Sequence, residues 1–79
     1  MRVLLFARAR ELAGADRVDV TLPAAATVAD LRRCLAEQSP RLAGLVSRSL
    51  IAVNGDYADD ATPLPTNAEV ALVPPVSGG

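Results

Sequence analysis

The sequence predicts one small domain of the α+β class, because strand-like and helix-like segments alternate along a chain of only 79 residues. Four short apolar segments have the length and pattern of β-strands. A longer segment with the apolar spacing of an amphipathic helix lies between the second and the third of them. The chain is 51% hydrophobic and 22% charged, a balance typical of folded rather than disordered proteins.

The first part of the chain predicts two strands and a short helix. Arg2 to Ala7 predicts the first strand, in which Val3 to Phe6 form a near-continuous apolar run, as is typical of a strand covered on both faces. Arg8 to Ala13 consists of good helix formers and precedes Gly14, a residue type that often ends a helix, so a turn or two of helix is expected. Arg17 to Leu22 alternates apolar and polar residues and predicts a half-buried strand that ends at Pro23.

The main helix is predicted from Thr27 to Gln38. Thr27 and Asp30 have the spacing of a capping box at its beginning. The apolar stripe that should face the core is formed by Val28, Leu31 and Leu35. Ser39-Pro40 is expected to end the helix.

The segment after the main helix predicts a helical turn and a third strand. Pro40 to Val46 carries three apolar residues and is expected to form a further turn that closes over the core. Leu50 to Val53 predicts a short strand, and Asn54-Gly55-Asp56 is a strong turn signal after it.

The last part of the chain predicts a loop and a fourth strand. Asp59 to Asn67 contains two prolines and is predicted as a loop, with Asp59-Asp60 solvated rather than part of a metal site. Val70 to Val73 predicts the last strand, which Pro74 and Pro75 end. A helix that crosses between strand pairs predicts the β-grasp fold: a mixed sheet of four to five strands packed on one main helix.

Composition excludes several kinds of site. The chain has no histidine and one cysteine, which excludes imidazole-based metal sites and catalysis, a cysteine-rich zinc site and an internal disulfide. That cysteine, Cys34, neighbours the helix stripe and is expected to be a small buried hydrophobe. The net charge of −1 and the presence of only two aromatic residues, Phe6 and Tyr57, argue against a nucleic-acid surface.

The sequence also predicts a cytoplasmic protein with no membrane partner. No apolar run approaches the roughly 18 residues that a membrane span needs. The apolar run at the N-terminus is too short for a signal peptide, because Arg8 and Arg10 interrupt it.

The end of the chain is predicted as a flexible tail, Val76-Ser77-Gly78-Gly79, beyond a domain of residues 1–75. Glycine lacks a Cβ, so the tail could pass through a narrow channel into a partner's active site. Fully extended from Pro75, it spans up to roughly 17 Å. The terminal carboxylate is ionised at neutral pH and can attack an electrophile. A frayed end without a role is the alternative interpretation.

Four segments of the sequence resemble the small, sulfur-carrying subunit of molybdopterin synthase, a ubiquitin-like family. They are Leu5 to Gly14 (Leu-Phe-Ala-Arg-Ala-Arg-Glu-Leu-Ala-Gly), Thr27 to Leu31, Ala52 to Asn54, and Val73 to Gly79. The resemblance extends over the whole chain, in order and at the family's length. The two end segments together are specific, whereas a Gly-Gly terminus alone is common to ubiquitin-like proteins.

The resemblance implies a sulfur-transfer cycle centred on Gly79. An E1-like activating enzyme would use ATP to adenylate its carboxylate, and a sulfurtransferase would supply the sulfur that converts it to a thiocarboxylate. The charged carrier would then donate sulfur to cyclic pyranopterin monophosphate in the large synthase subunit, within an expected heterotetramer. The chain itself would hold no cofactor, no metal and no catalytic site of its own, so its status as an enzyme depends on that complex.

The resemblance also implies that one face of the sheet, around the tail, binds both the activating enzyme and the large subunit. The implied contact residues are Phe6, Arg10, Tyr57, Val73, Pro74 and Pro75. Tyr57 and Val73 stand where the family pattern leads one to expect Leu and Phe. Without the resemblance, Phe6 would be predicted as core, because it lies in an apolar strand, and Arg10 as an ordinary solvated arginine.

Three other functions remain open at this point. The chain could carry sulfur for thiamine or cysteine biosynthesis, with the same fold and tail. It could be a protein modifier whose Gly79 is joined to lysines of target proteins. It could also be an interaction module with an inert tail.

Overall fold

Five strands form one mixed sheet that packs a main helix against one of its faces. The computed structural model describes residues 1–75, and the predicted tail from Val76 to Gly79 lies outside the described residues. The strands are β1 (Arg2–Leu5), β2 (Arg17–Asp19), β3 (Leu50–Val53), β4 (Asp56–Ala58) and β5 (Val70–Val73). The helices are α1 (Ala7–Ala13), α2 (Val28–Gln38) and α3 (Ala43–Val46), with a 3₁₀ turn at Pro40–Leu42.

The sheet has the strand order β2-β1-β5-β3-β4. The central pair, β1 and β5, is parallel, and every other pair is antiparallel. A parallel pair requires a crossover connection, and α2 lies within the segment that connects the two strands. The predicted α+β fold of the β-grasp kind is therefore confirmed, with five strands.

The core lies between the inner side of the sheet and α2. The predicted helix stripe of Val28, Leu31 and Leu35 is completely buried, and Cys34 beside it is buried as well, as predicted. Alternate residues of the three central strands face this stripe: Val3, Leu5, Ile51, Val53, Val70 and Leu72. The predicted turn after α2 closes the end of the core with buried Leu42, Leu45 and Val46. Burial of one such side chain stabilises the fold by roughly 1.5–3 kcal/mol.

The ends of the two predicted helices form as their sequences indicate. The Thr27 backbone N–H donates to Asp30 Oδ2 (2.9 Å) and the Asp30 N–H donates to Thr27 Oγ1 (3.4 Å), which completes the capping box. The bond from the Thr27 backbone N–H and a weaker one from the Thr27 hydroxyl to Asp30 Oδ2 (3.2 Å) favour the ionised carboxylate, and they lower the pKa of Asp30, chiefly through the backbone N–H. At the end of α1, Gly14 has a left-handed φ of 69° and donates its N–H to the Arg10 carbonyl.

The first strand departs from the prediction in two respects. It ends at Leu5 rather than Ala7, because Ala7 has a φ of 50° and turns the chain directly into α1. It is also covered on one face only, since Val3 and Leu5 are buried whereas Leu4 is half-buried. The continuous apolar run arises because the uncovered face of the strand is apolar too.

The second strand is shorter than predicted and β4 was not predicted at all. The ladder of β2 ends at Asp19, and the Gln38 side-chain amide then pairs with the backbone N–H and carbonyl of Thr21, both at 2.9 Å. The predicted turn brings β4 back onto β3, with positive φ at Asn54 (50°) and Gly55 (87°) as a two-residue hairpin requires.

Arg32 connects α2 to two segments outside it. Its Nη1 donates to the carbonyls of Val46 (2.6 Å) and Ser49 (2.8 Å), and its Nε donates to Asp60 (2.8 Å). Asp59 accepts bonds within its own turn, from the Ala61 N–H (3.1 Å) and the Thr62 hydroxyl (3.0 Å). Both aspartates are exposed, as the predicted solvated loop requires.

Candidate functional site: the open face of the sheet

The face of the sheet opposite α2 is uncovered and apolar. Side chains alternate along each strand, so on β5 Val70 and Leu72 are buried while Ala71 and Val73 are half-buried on the other side. The strand register places Leu4 and Ala52 on either side of Ala71. We call this surface the open face; it comprises Leu4, Phe6, Leu50, Ala52, Tyr57, Ala71 and Val73.

The exposed large hydrophobic side chains of residues 1–75 all belong to the open face. They are Phe6, Leu50 and Tyr57, with 42%, 51% and 67% of their surfaces accessible. A contiguous exposed apolar surface on a small soluble protein commonly marks a site of protein–protein contact. The open face therefore has the character of a docking surface.

Three members of the open face lie side by side where the sheet leads into the tail. Leu50 is directly opposite Val73, the last residue of β5. Leu5 pairs with Leu72, so Phe6, which is still extended, follows on beside Val73. The described chain then ends with Pro74, which is buried, and Pro75, which is exposed. A partner that covers these side chains would lie next to the beginning of the tail.

The structure places the other predicted contact residues around this cluster. Tyr57 lies on the edge strand β4, in register with Ala52 on the open face. Arg10 is exposed on α1, which packs beside β5. The expectation from the residues alone that Phe6 belongs to the core is wrong, because the side chain occupies the uncovered face of β1. The predicted Val76, Ser77, Gly78 and Gly79 lie outside the described residues.

Sequence reasoning missed Leu50, the member of the open face that lies opposite Val73. Its neighbours Ile51 and Val53 are buried, and Leu50 and Ala52 have the opposite parity along β3. The alternation of buried and exposed positions along β3 would have identified Leu50. It is not visible in the sequence, because all four residues of the strand are apolar.

Outside the open face, the described residues contain an open groove and a buried thiol. Within residues 1–75 no three His, Cys, Asp or Glu side chains group as metal ligands, and no helix has the length and hydrophobicity for a membrane crossing. An open groove of about 1130 Å³ lies at the end of the sheet where β5 begins. Its ionisable side chains are Arg2, Arg17, Asp19 and Glu69. The one thiol, on Cys34, is buried in the core.

Comparisons with known proteins identify the family of this chain. The family model described as the ThiS family matches residues 3–79. A molybdopterin synthase sulfur carrier subunit of Arabidopsis thaliana is 37% identical over all of this chain and 82% of its own length. The Escherichia coli K12 protein of that name is 41% identical and is covered over 99% of its length. The crystal structure of Haloferax volcanii small archaeal modifier protein 1 superposes with a TM-score of 0.83 at 30% identity, covering 95% of each chain. The chain therefore belongs to the ThiS family and is related over its whole length to molybdopterin synthase sulfur carrier subunits.

Proposed function

We propose that this protein is the sulfur carrier of molybdopterin synthase. In this role the α-carboxylate of Gly79 is adenylated, converted to a thiocarboxylate and used to donate sulfur to cyclic pyranopterin monophosphate. The acceptor is bound by the large subunit of the synthase, with which the carrier forms a heterotetramer. Full-length similarity to sulfur carrier subunits of a plant and a bacterium supports this assignment.

The observation that carries the proposal is the position of the exposed apolar cluster next to the beginning of the tail. Phe6, Leu50 and Val73 adjoin at the end of β5. Pro75 lies two residues beyond Val73 and four before Gly79. Fully extended, the chain from Pro75 to Gly79 spans up to roughly 17 Å, so Gly79 could reach that far into a partner bound on the open face. Docking on this face would bring the terminal carboxylate to a buried site in the partner.

The chemistry divides between carrier and partners. A Gly79 carboxylate oxygen attacks the α-phosphorus of ATP in the E1-like activating enzyme, and pyrophosphate leaves. Sulfide-level sulfur (HS⁻), delivered by a sulfurtransferase, then attacks the acyl carbon; a C–S bond forms, the bond to AMP breaks, and loss of the remaining proton leaves the thiocarboxylate. The partners supply the acid–base groups and the substrate pocket, because this sequence has no histidine and its one thiol is buried.

Intact-mass spectrometry tests the proposal directly. The full chain is incubated with an activating enzyme of this family, ATP and a sulfur source. We expect a mass gain equal to the exchange of one oxygen for sulfur, which disappears without ATP. The matched control lacks only Gly79; it should keep the thermal transition of the parent, since a chain end contributes little to stability, and should gain no mass. An unchanged mass of the full chain with an enzyme active on another carrier would refute the proposal.

Addition of the large subunit and the pterin precursor then identifies the pathway. Formation of molybdopterin, with the thiocarboxylate returning to a carboxylate, is the expected result. A thiocarboxylate that forms but does not react there would instead indicate a carrier for thiamine or cysteine biosynthesis.

A protein modifier is the second candidate, because the fold matches that of Haloferax volcanii small archaeal modifier protein 1. In this case Gly79 would form an amide bond with lysines of other proteins. Immunoblots of cell extract should then show a ladder of conjugates that requires Gly79. Conjugates without any molybdopterin synthesis would favour this function over sulfur transfer.

A further inference from the structure

The 79-residue chain has few groups that could react with an activated acyl carbon. All eight of its basic side chains are arginines, so it has no side-chain amine. The guanidinium group stays protonated in proteins and does not act as a nucleophile. Hydroxyl groups are weak nucleophiles unless an adjacent base activates them, and histidine, the most common such base, is absent from the sequence. Two stronger nucleophiles remain, the thiol of Cys34 and the α-amine of Met1.

The fold keeps both of these nucleophiles away from the tail. Cys34, on α2, is 8% exposed and packs in the core, on the opposite side of the sheet from the open face. Met1 lies beyond the beginning of β1, where its α-ammonium donates to the Val20 carbonyl (2.7 Å). The Val20 N–H donates in return to the Met1 carbonyl (2.8 Å). The α-amine is thus held at the edge of the sheet as an ammonium donor, which has no free lone pair.

The α-amine is also too far from the tail of its own chain. The strands β1 and β5 are parallel, with Val3 level with Val70, so Met1 is level with a point seven residues before Pro75. At about 3.3 Å per residue this separation is roughly 23 Å along the sheet. The tail beyond Pro75 spans roughly 17 Å when fully extended. The acyl carbon of Gly79 therefore falls short of this amine within one molecule.

We propose that composition and fold together protect the activated carrier from acylating itself or a second copy. This inference rests on the proposed function, since only an activated Gly79 requires such protection. Attack of a lysine amine on the acyl-adenylate would form a C–N bond, release AMP and a proton, and leave an amide that takes up no sulfur. A lysine within reach of the tail would act at an effective concentration of about 1 mM, in competition with the sulfur donor. Without that acceptor, the acyl group passes to sulfur, to water or to an amine of another protein.

The same property limits the second candidate function. A modifier without lysine is joined to its target as a single unit, because a second copy finds no side-chain amine on the first. Conjugates of this chain would therefore carry one copy for each modified lysine of the target and would not grow into chains.

An aryl thioester prepared chemically at Gly79 of the full chain tests the proposal without any activating enzyme. The test variant is Arg48→Lys, which keeps the charge and introduces an amine near the beginning of the tail. Arg48 is exposed and precedes Leu50, the partner of Val73, by two residues. The matched control is Arg2→Lys, which introduces the same amine at an exposed position at the opposite end of the sheet.

Intact-mass spectrometry distinguishes the products. At about pH 8.5, where roughly 1% of a lysine amine is unprotonated, the parent thioester should only hydrolyse. Arg48→Lys should in addition lose the thiol without gaining water, and tandem mass spectrometry should locate an amide between residue 48 and Gly79. With about 10 µM protein, this intramolecular reaction should be about 100-fold faster than amide formation between molecules. Arg2→Lys should form the amide at least about tenfold more slowly than Arg48→Lys, because its amine lies at the limit of the tail's reach.

Two results would overturn the proposal. The first is a parent chain that forms a cyclic or dimeric amide, since an internal nucleophile would then be accessible after all. The second is a folded Arg48→Lys variant that only hydrolyses, since the absence of lysine would then protect nothing. Thermal unfolding by circular dichroism checks the fold, and Ser47→Lys, at the adjacent exposed position, replaces Arg48→Lys if that variant unfolds.

Failure of the proposed function would appear in a different assay. The parent chain would then exchange no oxygen for sulfur with an active activating enzyme, whatever the thioester does. An inert parent thioester beside a cyclising Arg48→Lys variant supports the inference, and the enzyme assay decides separately whether Gly79 is activated.

Discussion

Replacement of Leu50 by Asp should disrupt binding to the large subunit while the carrier stays folded. Leu50 is 51% exposed, so a covering partner removes about half of its surface from water. Full burial of a leucine is worth roughly 1.5–3 kcal/mol, and the remaining half is worth about 0.8–1.5 kcal/mol. An aspartate there would lose that contribution and would be desolvated without a partner, at a further cost of about 1–3 kcal/mol. The sum of about 2–4 kcal/mol corresponds to a roughly 30- to 1000-fold weaker Kd.

Isothermal titration of the large subunit with each variant measures this effect. Leu50→Ala should weaken binding only about fivefold, since it removes the contact without adding a charge. Thr66→Asp places the same charge on an exposed loop before β5 and should bind like the parent. Thermal unfolding should be nearly unchanged, because the Leu50 side chain lies in solvent at the beginning of β3 and not in the core. A folded Leu50→Asp variant that binds within twofold of the parent would refute the assignment of the open face.

Two remaining predictions concern the stability of the fold. Arg32→Ala should lower the free energy of unfolding by about 2 kcal/mol, because it leaves the Val46 and Ser49 carbonyls without their charged donor. Calorimetry should then show a melting temperature about 8–16 °C lower. A shift under about 2 °C would contradict this role. Asp30 has a lowered pKa in the folded state, so the stability it contributes is present above its unfolded pKa of about 3.9 and is lost as the pH falls through the folded value. The melting temperatures of the parent and Asp30→Asn should therefore converge between about pH 5 and pH 2, and a constant difference over that range would exclude the carboxylate charge as the cause.

Much of the fold could be predicted because local signals and tertiary packing agree. The bounds of β3 and β5 match the predicted segments, and α2 begins one residue after its predicted cap, Thr27. The spacing of the apolar residues in α2 favours a helix, and the short apolar runs of β3 and β5 are followed by turn residues or prolines, which favours strands. The strand β4 was missed because its three residues, Asp56 to Ala58, have no apolar pattern of their own. It forms because the preceding turn returns the chain to β3, where backbone hydrogen bonds are available.

The candidate site was harder to predict than the fold. Family resemblance alone indicated Phe6, Tyr57 and Val73, and the residue pattern by itself assigned Phe6 to the core. An apolar run such as Val3 to Phe6 is compatible with a strand covered on both faces or with one whose free face binds a partner. Sequence periodicity does not distinguish these cases, because both place apolar residues at every position.

The sequence by itself determined the main helix, the strands β3 and β5, the helix caps and the kinds of chemistry this chain lacks, since these depend on local backbone preferences and on which side chains exist. Only the tertiary structure decided which apolar residues remain in solvent. The order β2-β1-β5-β3-β4 places a single helical layer against one side of the sheet and so leaves Leu50 exposed beside Val73. Pairing between β1 and β5, which lie far apart in the chain, brings Phe6 to the same place. Such long-range pairings depend on how the whole core is covered, and no local sequence pattern specifies them.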